Sequence, residues 1–231
     1  MKSASLERLD VSHNSFIDDP SIDQIIQIKL LKHLDISFCN KITDGGLQCF
    51  AKRLPKLESL NMSGLCQITD VGVIALLDSI YSTIQSLNIS LLTSSCITDQ
   101  IGEPLRKCIK IEVLDMSGLS EISDECINKM FVESRPDEKD QKKQVLKSLS
   151  VNNLQWISED CFTKMLTAFP LLEKLEMINA YIGDTFLETI AKSTVTNLQE
   201  INFSMCQLSQ ESIDQLKEAK PYLKLIWYML T

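Results

Sequence analysis

Apolar and polar residues alternate in short bursts along this chain, and each burst gives way to a stretch with helical spacing. In Leu31-Lys32-His33-Leu34-Asp35-Ile36-Ser37, polar residues separate Leu34 from Ile36. That is the period of two of a short strand with one buried face. In the stretch 46–54, the apolar positions 47, 50, 51 and 54 share one helical face. Between strand and helix stand Thr43-Asp44, Thr69-Asp70, Thr98-Asp99, Ser123-Asp124, Ser158-Glu159-Asp160 and Gly183-Asp184. Their oxygens are predicted to cap the helix starts.

The alternation recurs. The frame that opens at Leu31 also opens at Leu6, Leu57, Ile84, Ile111, Leu146, Leu172 and Leu198, at intervals of 25, 26, 27, 27, 35, 26 and 26 residues, and a ninth partial copy is predicted from Leu223. The shared L-x-x-L-x-L pattern is that of a leucine-rich repeat. One copy cannot bury its own apolar face, but stacked copies can. The predicted fold is therefore an α/β solenoid, a right-handed horseshoe of about eight repeats with parallel strands on the concave side and helices on the convex side. It is read as a single domain over residues 1–231.

The second copy, Leu34-Asp35-Ile36-Ser37-Phe38-Cys39-Asn40-Lys41-Ile42-Thr43-Asp44-Gly45-Gly46-Leu47, resembles the cysteine-containing repeat typical of F-box proteins of the leucine-rich-repeat class. The motif's cysteine recurs at Cys206, while Asn14, Leu65, Leu92, Leu119, Leu154 and Ala180 stand there in the other copies. The resemblance implies a substrate-recognition arch of a ubiquitin-ligase receptor, in which a separate F-box holds a Skp-type adaptor. No F-box precedes Leu6, so the chain is expected either to be the recognition part of a longer protein or not to dock to the ligase. Relatives with this repeat also serve as scaffold subunits of large assemblies such as the ciliary axoneme, and that is the alternative.

Composition narrows the function. The chain has 231 residues, of which 44% are hydrophobic, and a net charge of −8. A nucleic-acid binder working through a broad basic surface is excluded, as is a membrane span, because no apolar run reaches about 18 residues. The N-terminus lacks the apolar segment of a cleavable secretory signal. The eight cysteines form no C-x-x-C pair and read as thiols used as small core hydrophobes. A cytoplasmic location is expected, with nuclear and ciliary ones as variants.

Catalytic chemistry is poorly supplied. The two histidines, His13 and His33, lie near the N-terminus, and no phosphate loop or dinucleotide fingerprint occurs. The chain is read as a non-enzyme with no cofactor and no metal. Its partners are expected to be proteins, either a ubiquitin-ligase substrate or neighbouring subunits, with neither nucleic acid nor membrane among them. Solenoids usually bind along the concave strands. Alternation predicts that the second, fourth and sixth residues after each repeat's first apolar residue point outward there. The candidates drawn from the first two columns are Arg8, Asp10, His33, Asp35, Asn61, Asn88, Asp115, Lys174 and Glu176. The sixth column is mostly serine, from Ser12 to Ser204.

Three departures from the repeat stand out. Residues 133–143 form a charge-balanced insertion, read as an exposed loop that is either merely tolerated or a docking element. The fourth repeat runs two residues long at Leu91–Cys96 and is predicted to bulge. The C-terminal segment 221–231 is apolar and aromatic, read as a cap or, through Trp227 and Tyr228, as a protein-binding end. The N-terminal end has no capping helix ahead of Leu6, and the chain is expected either to be a fragment or to have that end covered by a neighbour.

Overall fold

The structure is a computed structural model and describes residues 5–51, 56–92, 96–131, 145–193 and 197–228. Strands of three residues alternate with helices. They are β1 (Arg8–Asp10), α1 (Asp19–Ile25), β2 (His33–Asp35), α2 (Asp44–Ala51), β3 (Ser59–Asn61), α3 (Asp70–Ile80), β4 (Ser86–Asn88), α4 (Gly102–Lys107), β5 (Val113–Asp115), α5 (Asp124–Phe131), β6 (Ser148–Ser150), α6 (Glu159–Ala168), β7 (Lys174–Glu176), α7 (Asp184–Lys192), β8 (Glu200–Asn202), α8 (Gln210–Ala219) and β9 (Lys224–Ile226). All nine strands pair in parallel, in chain order, in one open sheet. The α/β repeat solenoid expected from the sequence is the fold.

Register runs unbroken from rung to rung. Leu9, Leu34, Leu60, Leu87, Leu114, Leu149, Leu175, Ile201 and Leu225 face one another across successive strands. From Leu34 to Ile201 this column is buried between sheet and helices, and it joins Leu47, Phe50, Leu76, Phe162, Phe186 and Ile213 in one continuous core. Burying one such leucine is worth about 2–3 kcal/mol, so the stack replaces the closed core that a single copy lacks.

The ninth copy departs from the predicted frame. Lys224 pairs with Glu200, which sets the frame at Tyr222 rather than Leu223. Leu225 and Trp227 therefore turn inward and pack against the core, while Lys224 is exposed. The sixth-column serines also depart from expectation, since Ser37, Ser63, Ser90 and Ser204 are buried. The reason is the short strand. The next residue, His13, Phe38, Gly64, Leu91, Gly118, Asn153, Asn179 or Met205, has a positive φ in every one of the eight repeats. The chain turns there, so strand alternation stops at the fourth position. Only two of these residues are glycine, and the left-handed conformation costs the others about 1 kcal/mol each. A backbone bond holds it in place: the N–H of Phe38 donates to Ser63, that of Leu91 to Ser117 and that of Asn179 to Ser204.

The helix starts carry a second ladder. Thr69 caps α3 through Val71 N, as the sequence predicts, and Ser158 and Ser209 cap α6 and α8. The neighbouring carboxylates have a different use from the predicted one: each reaches into the next repeat. Asp19 accepts from Thr43 N and Oγ1 at 2.9 and 2.6 Å, Asp44 from Thr69, Asp70 from Thr98, Asp99 from Ser123 and Asp124 from Ser158. Glu159 continues the series to Gly183 and Thr185, and Asp184 to Ser209. Gly46 and Gly72 leave room for it, because a Cβ at Gly72 would stand 2.3 Å from Asp44 Oδ1.

The insertion 133–143 lies outside the described residues, as do residues 93–95 of the long fourth repeat and 229–231 of the C-terminal segment. Of the eight cysteines, Cys39, Cys108, Cys126, Cys161 and Cys206 are buried as small hydrophobes, whereas Cys66 is exposed. Burial pushes the Cys126 thiol up to about 12.

Candidate protein-binding surfaces

Parallel register gathers the predicted candidates into two columns on the strand face. Arg8, His33 and Lys174 lie in the second-position column, and Asp10, Asp35, Asn61, Asn88, Asp115 and Glu176 in the fourth. Rungs of a sheet are about 4.8 Å apart, so the columns present evenly spaced side chains over nine strands, polar except at Val113 and Ile226. The second column is centred on Ser59, Ser86, Val113 and Ser148, with Val113 exposed.

Much of the fourth column's hydrogen-bonding capacity is spent within each repeat. Asp10, Asp35, Asn61, Asn88, Asp115 and Asn202 each accept the backbone N–H two residues on, which fixes the turn after the strand. The Ser37, Ser90 and Ser204 hydroxyls donate to the same acceptors. Asn61 Nδ2 donates across the rung to Asp35 Oδ2 at 2.8 Å. Backbone and side-chain donation from Ser12 holds the Asp10 carboxyl below its usual value.

The C-terminal half of the face is built differently. Lys174 bridges Glu176 at 2.7 Å and Glu200 at 3.3 Å, and Lys224 adds a second cation to Glu200 at 2.6 Å. Ser150 also donates to Glu176. Burial pushes the Glu176 carboxyl up, but Lys174, Ser150 and Asn152 outweigh it and hold the group below its ordinary value. This half is a pre-paired ionic network, whereas Arg8 makes no ion pair among the described residues.

At the C-terminal end, Trp227 is half-buried and its indole N–H has no hydrogen-bond partner among the described residues. Tyr228 is exposed, and its carbonyl accepts from Met205 N. Of the pair expected there, Tyr228 faces solvent and Trp227 faces the core.

The edge where strands hand over to helices carries large exposed side chains outside the predicted set. Trp156 is 64% exposed, Tyr181 69% and Phe16 82%. All three stand immediately before the apolar residue that precedes a helix, Ile157, Ile182 and Ile17. Met205 and Leu91 add to the same edge. The signal was present in the sequence as an eighth-of-the-chain comparison of one column: Phe16, Lys41, Gln67, Cys96, Glu121, Trp156, Tyr181 and Gln207.

Among the described residues, no group of three or more His, Cys, Asp or Glu side chains could hold a metal ion, and no helix is long and apolar enough to cross a membrane. A leucine-rich-repeat family model matches residues 2–23, 28–51 and 53–77. An internalin from Listeria monocytogenes superposes over 98% of this chain and 82% of its own, with TM-score 0.64 and 19% identity. The chain is a leucine-rich-repeat protein. A Bacteroides fragilis protein shares the fold over 96% of this repeat chain and 73% of its own, at TM-score 0.54 and 14% identity. A chain from the yeast Rad7–Elc1 complex aligns over 96% and 80% at 15% identity, but its TM-score of 0.40 bears on nothing beyond general likeness. No curated protein matches the sequence. A leucine-rich-repeat fold of this kind is a protein–protein interaction module.

Proposed function

We propose that this repeat protein works without catalysis, as a cytoplasmic recognition arch that holds a partner protein along its strand face. The observation that carries the reading is the unbroken nine-strand register. It turns residues scattered from Arg8 to Glu176 into two straight columns of polar groups. The N-terminal half offers Arg8, His33, Asp35 and Asp115 to a partner with hydrogen-bonding or basic groups. The C-terminal half offers the Lys174–Glu176–Glu200 network. The partner is read as the substrate of an F-box-type ubiquitin-ligase receptor, a reading supported by the Leu34–Leu47 motif.

The test is affinity capture of the native protein from its own cells, beside the double variant Asp35→Lys/Asp115→Lys. A Skp-type adaptor and a cullin among stoichiometric partners supports the receptor reading. A constant set of structural proteins without them replaces it with a scaffold subunit. Capture undiminished by the double variant moves the binding surface off the strand face. Both aspartates are partly exposed but accept the turn N–H groups of Ser37 and Ser117, so far-ultraviolet circular dichroism of the double variant verifies its folding before capture.

A further inference from the structure

We propose that the edge formed by repeats five to eight is a second docking surface, built to take an arginine- or lysine-bearing segment of a partner protein on the rings of Trp156 and Tyr181. It adds a surface to the strand-face reading and does not rest on it.

The first observation is the rings. Trp156 and Tyr181 hold equivalent positions in successive repeats and are both more than half exposed. Beside Tyr181, a cleft of about 390 Å³ is lined by Gln155, Asn179, Met205 and Gln207. Exposed Trp, Tyr and Met are the residue types that concentrate binding energy at protein interfaces, and the amides at the cleft can bond a peptide backbone.

The second is charge. From the fourth strand position through the first turn of the following helix, the eight repeats contain a single lysine or arginine, Lys41, besides His13 of the first repeat. Repeats five to eight have no lysine or arginine there, but have nine acids, among them Glu121, Glu159, Asp160 and Asp184. Glu159 and Asp184 are committed to the inter-repeat ladder and Asp160 to Lys164. Glu121, exposed and without an ion pair among the described residues, stands one repeat before Trp156 in the ring column. The edge is aromatic, acidic and short of cations.

The third is a precedent inside the molecule. In the first two repeats the same column places the Lys41 ammonium 5.9 Å from the centre of the Phe16 ring, within cation–π range. Repeats six and seven offer better rings in the same column with no cation of their own. Alternate side chains of an extended peptide fall on one side, so a segment of alternating arginines can turn its guanidinium groups toward this column.

The probe is an amidated, fluorescein-labelled hexapeptide of alternating arginine and serine, read by fluorescence anisotropy. Glutamate–serine and proline-rich hexapeptides serve as controls. Saturable binding of the arginine peptide alone is expected. Trp156→Ala and Tyr181→Ala should each weaken it about threefold or more, and Trp156→Phe less. Glu121→Lys and a rise from about 50 to about 500 mM salt should also weaken it. Asp35→Lys/Asp115→Lys should leave it unchanged. All these side chains are at least partly exposed, and thermal melts verify folding. Three results each overturn the proposal: no saturable binding of the arginine peptide, equal or better binding of a control, or sensitivity to the strand-face pair but not to Trp156 and Tyr181. Loss of the strand-face reading alone would leave this surface standing, because the peptide assay does not use that face.

Discussion

Replacing Gly72 by alanine should destabilise the protein, against the helix scale. Alanine in place of glycine inside a helix ordinarily gains about 1 kcal/mol, and Gly72 lies in α3 with no positive φ to protect. The new methyl carbon, however, would stand 2.3 Å from Asp44 Oδ1, 3.0 Å from its carboxyl carbon and 3.1 Å from its Cα. Comfortable contact begins near 3.5 Å, so the carboxylate must retreat by about 1 Å. That carboxylate accepts from Thr69 N at 2.8 Å and Thr69 Oγ1 at 2.6 Å, and neither bond survives such a shift. Hydrogen bonds to a charged acceptor are worth about 1.5–3 kcal/mol each. Losing two and regaining the helix preference leaves a net loss of about 2–5 kcal/mol. The assay is urea unfolding followed by far-ultraviolet circular dichroism, where this loss moves the midpoint by about 1 M for a slope near 3 kcal/mol/M. In an Asp44→Ala background the penalty should fall by half or more, because the carboxylate is gone. A Gly72→Ala protein as stable as the parent would refute the ladder as an energetic element.

Four further outcomes follow from the packing and the charges. Asp70→Ala, on a buried rung, should cost about 2–4 kcal/mol and clearly more than Asp124→Ala on an exposed one; equal losses in urea midpoints would contradict the burial gradient. Leu60→Asp puts a charge into the stacked column at a position 2% exposed and should unfold the arch, so a soluble protein with native circular dichroism would overturn the register. Glu176 has a folded-state pKa below its ordinary 4.5, so the folded protein holds fewer protons than the unfolded chain; its contribution is full above the ordinary value and is lost as pH falls through the folded one. The protection factor of the Met177 amide, which bonds to Asn202 across the β7–β8 rung, should therefore fall on acidification before that of Ile36. Cys108, Cys126 and Cys161, with thiols pushed up to about 12 by burial, should resist alkylation at about pH 8 in the native state, as peptide mapping would show.

The fold was legible because its signal is repeated. Eight copies of one period leave the strand, the helix and their order overdetermined, and Leu34 and Ile36 point inward as their alternation predicts. Alternation fails wherever a strand is too short to sustain it. The serines at Ser37 and Ser63 were expected outside and are inside, because the turn at Phe38 and Gly64 begins one residue later. The sequence left the C-terminal segment open between a cap and a binding end, because only a partial copy is there to align; Trp227 packs against the core while Tyr228 is exposed. The role of Asp44 and its equivalents was also hidden, since a carboxylate beside a helix start looks the same whether it serves that helix or the next repeat. The strand-face columns could be read directly, but the partners of their side chains, such as Lys174 between Glu176 and Glu200, required the rungs to be placed side by side. The edge aromatics escaped because they break no motif. They occupy a variable column in which Gln67 is exposed as well, so nothing in the repeat's spacing sets Trp156 and Tyr181 apart.

The carboxylate ladder also bears on how such an arch changes length. Every latch has its acceptor in one repeat and its donor in the following one, so a whole copy carries one of each. Excising residues 57–83 would bring the repeat bearing Asp44 up against the one bearing Thr98, with matching halves of a latch already in place. Duplicating the same residues would do likewise. Cutting out a fraction of a repeat would leave a carboxylate without its donor. Growth and shrinkage are thus quantised in complete units, and the arch can be lengthened to suit a larger partner with no interaction that the chain does not already use.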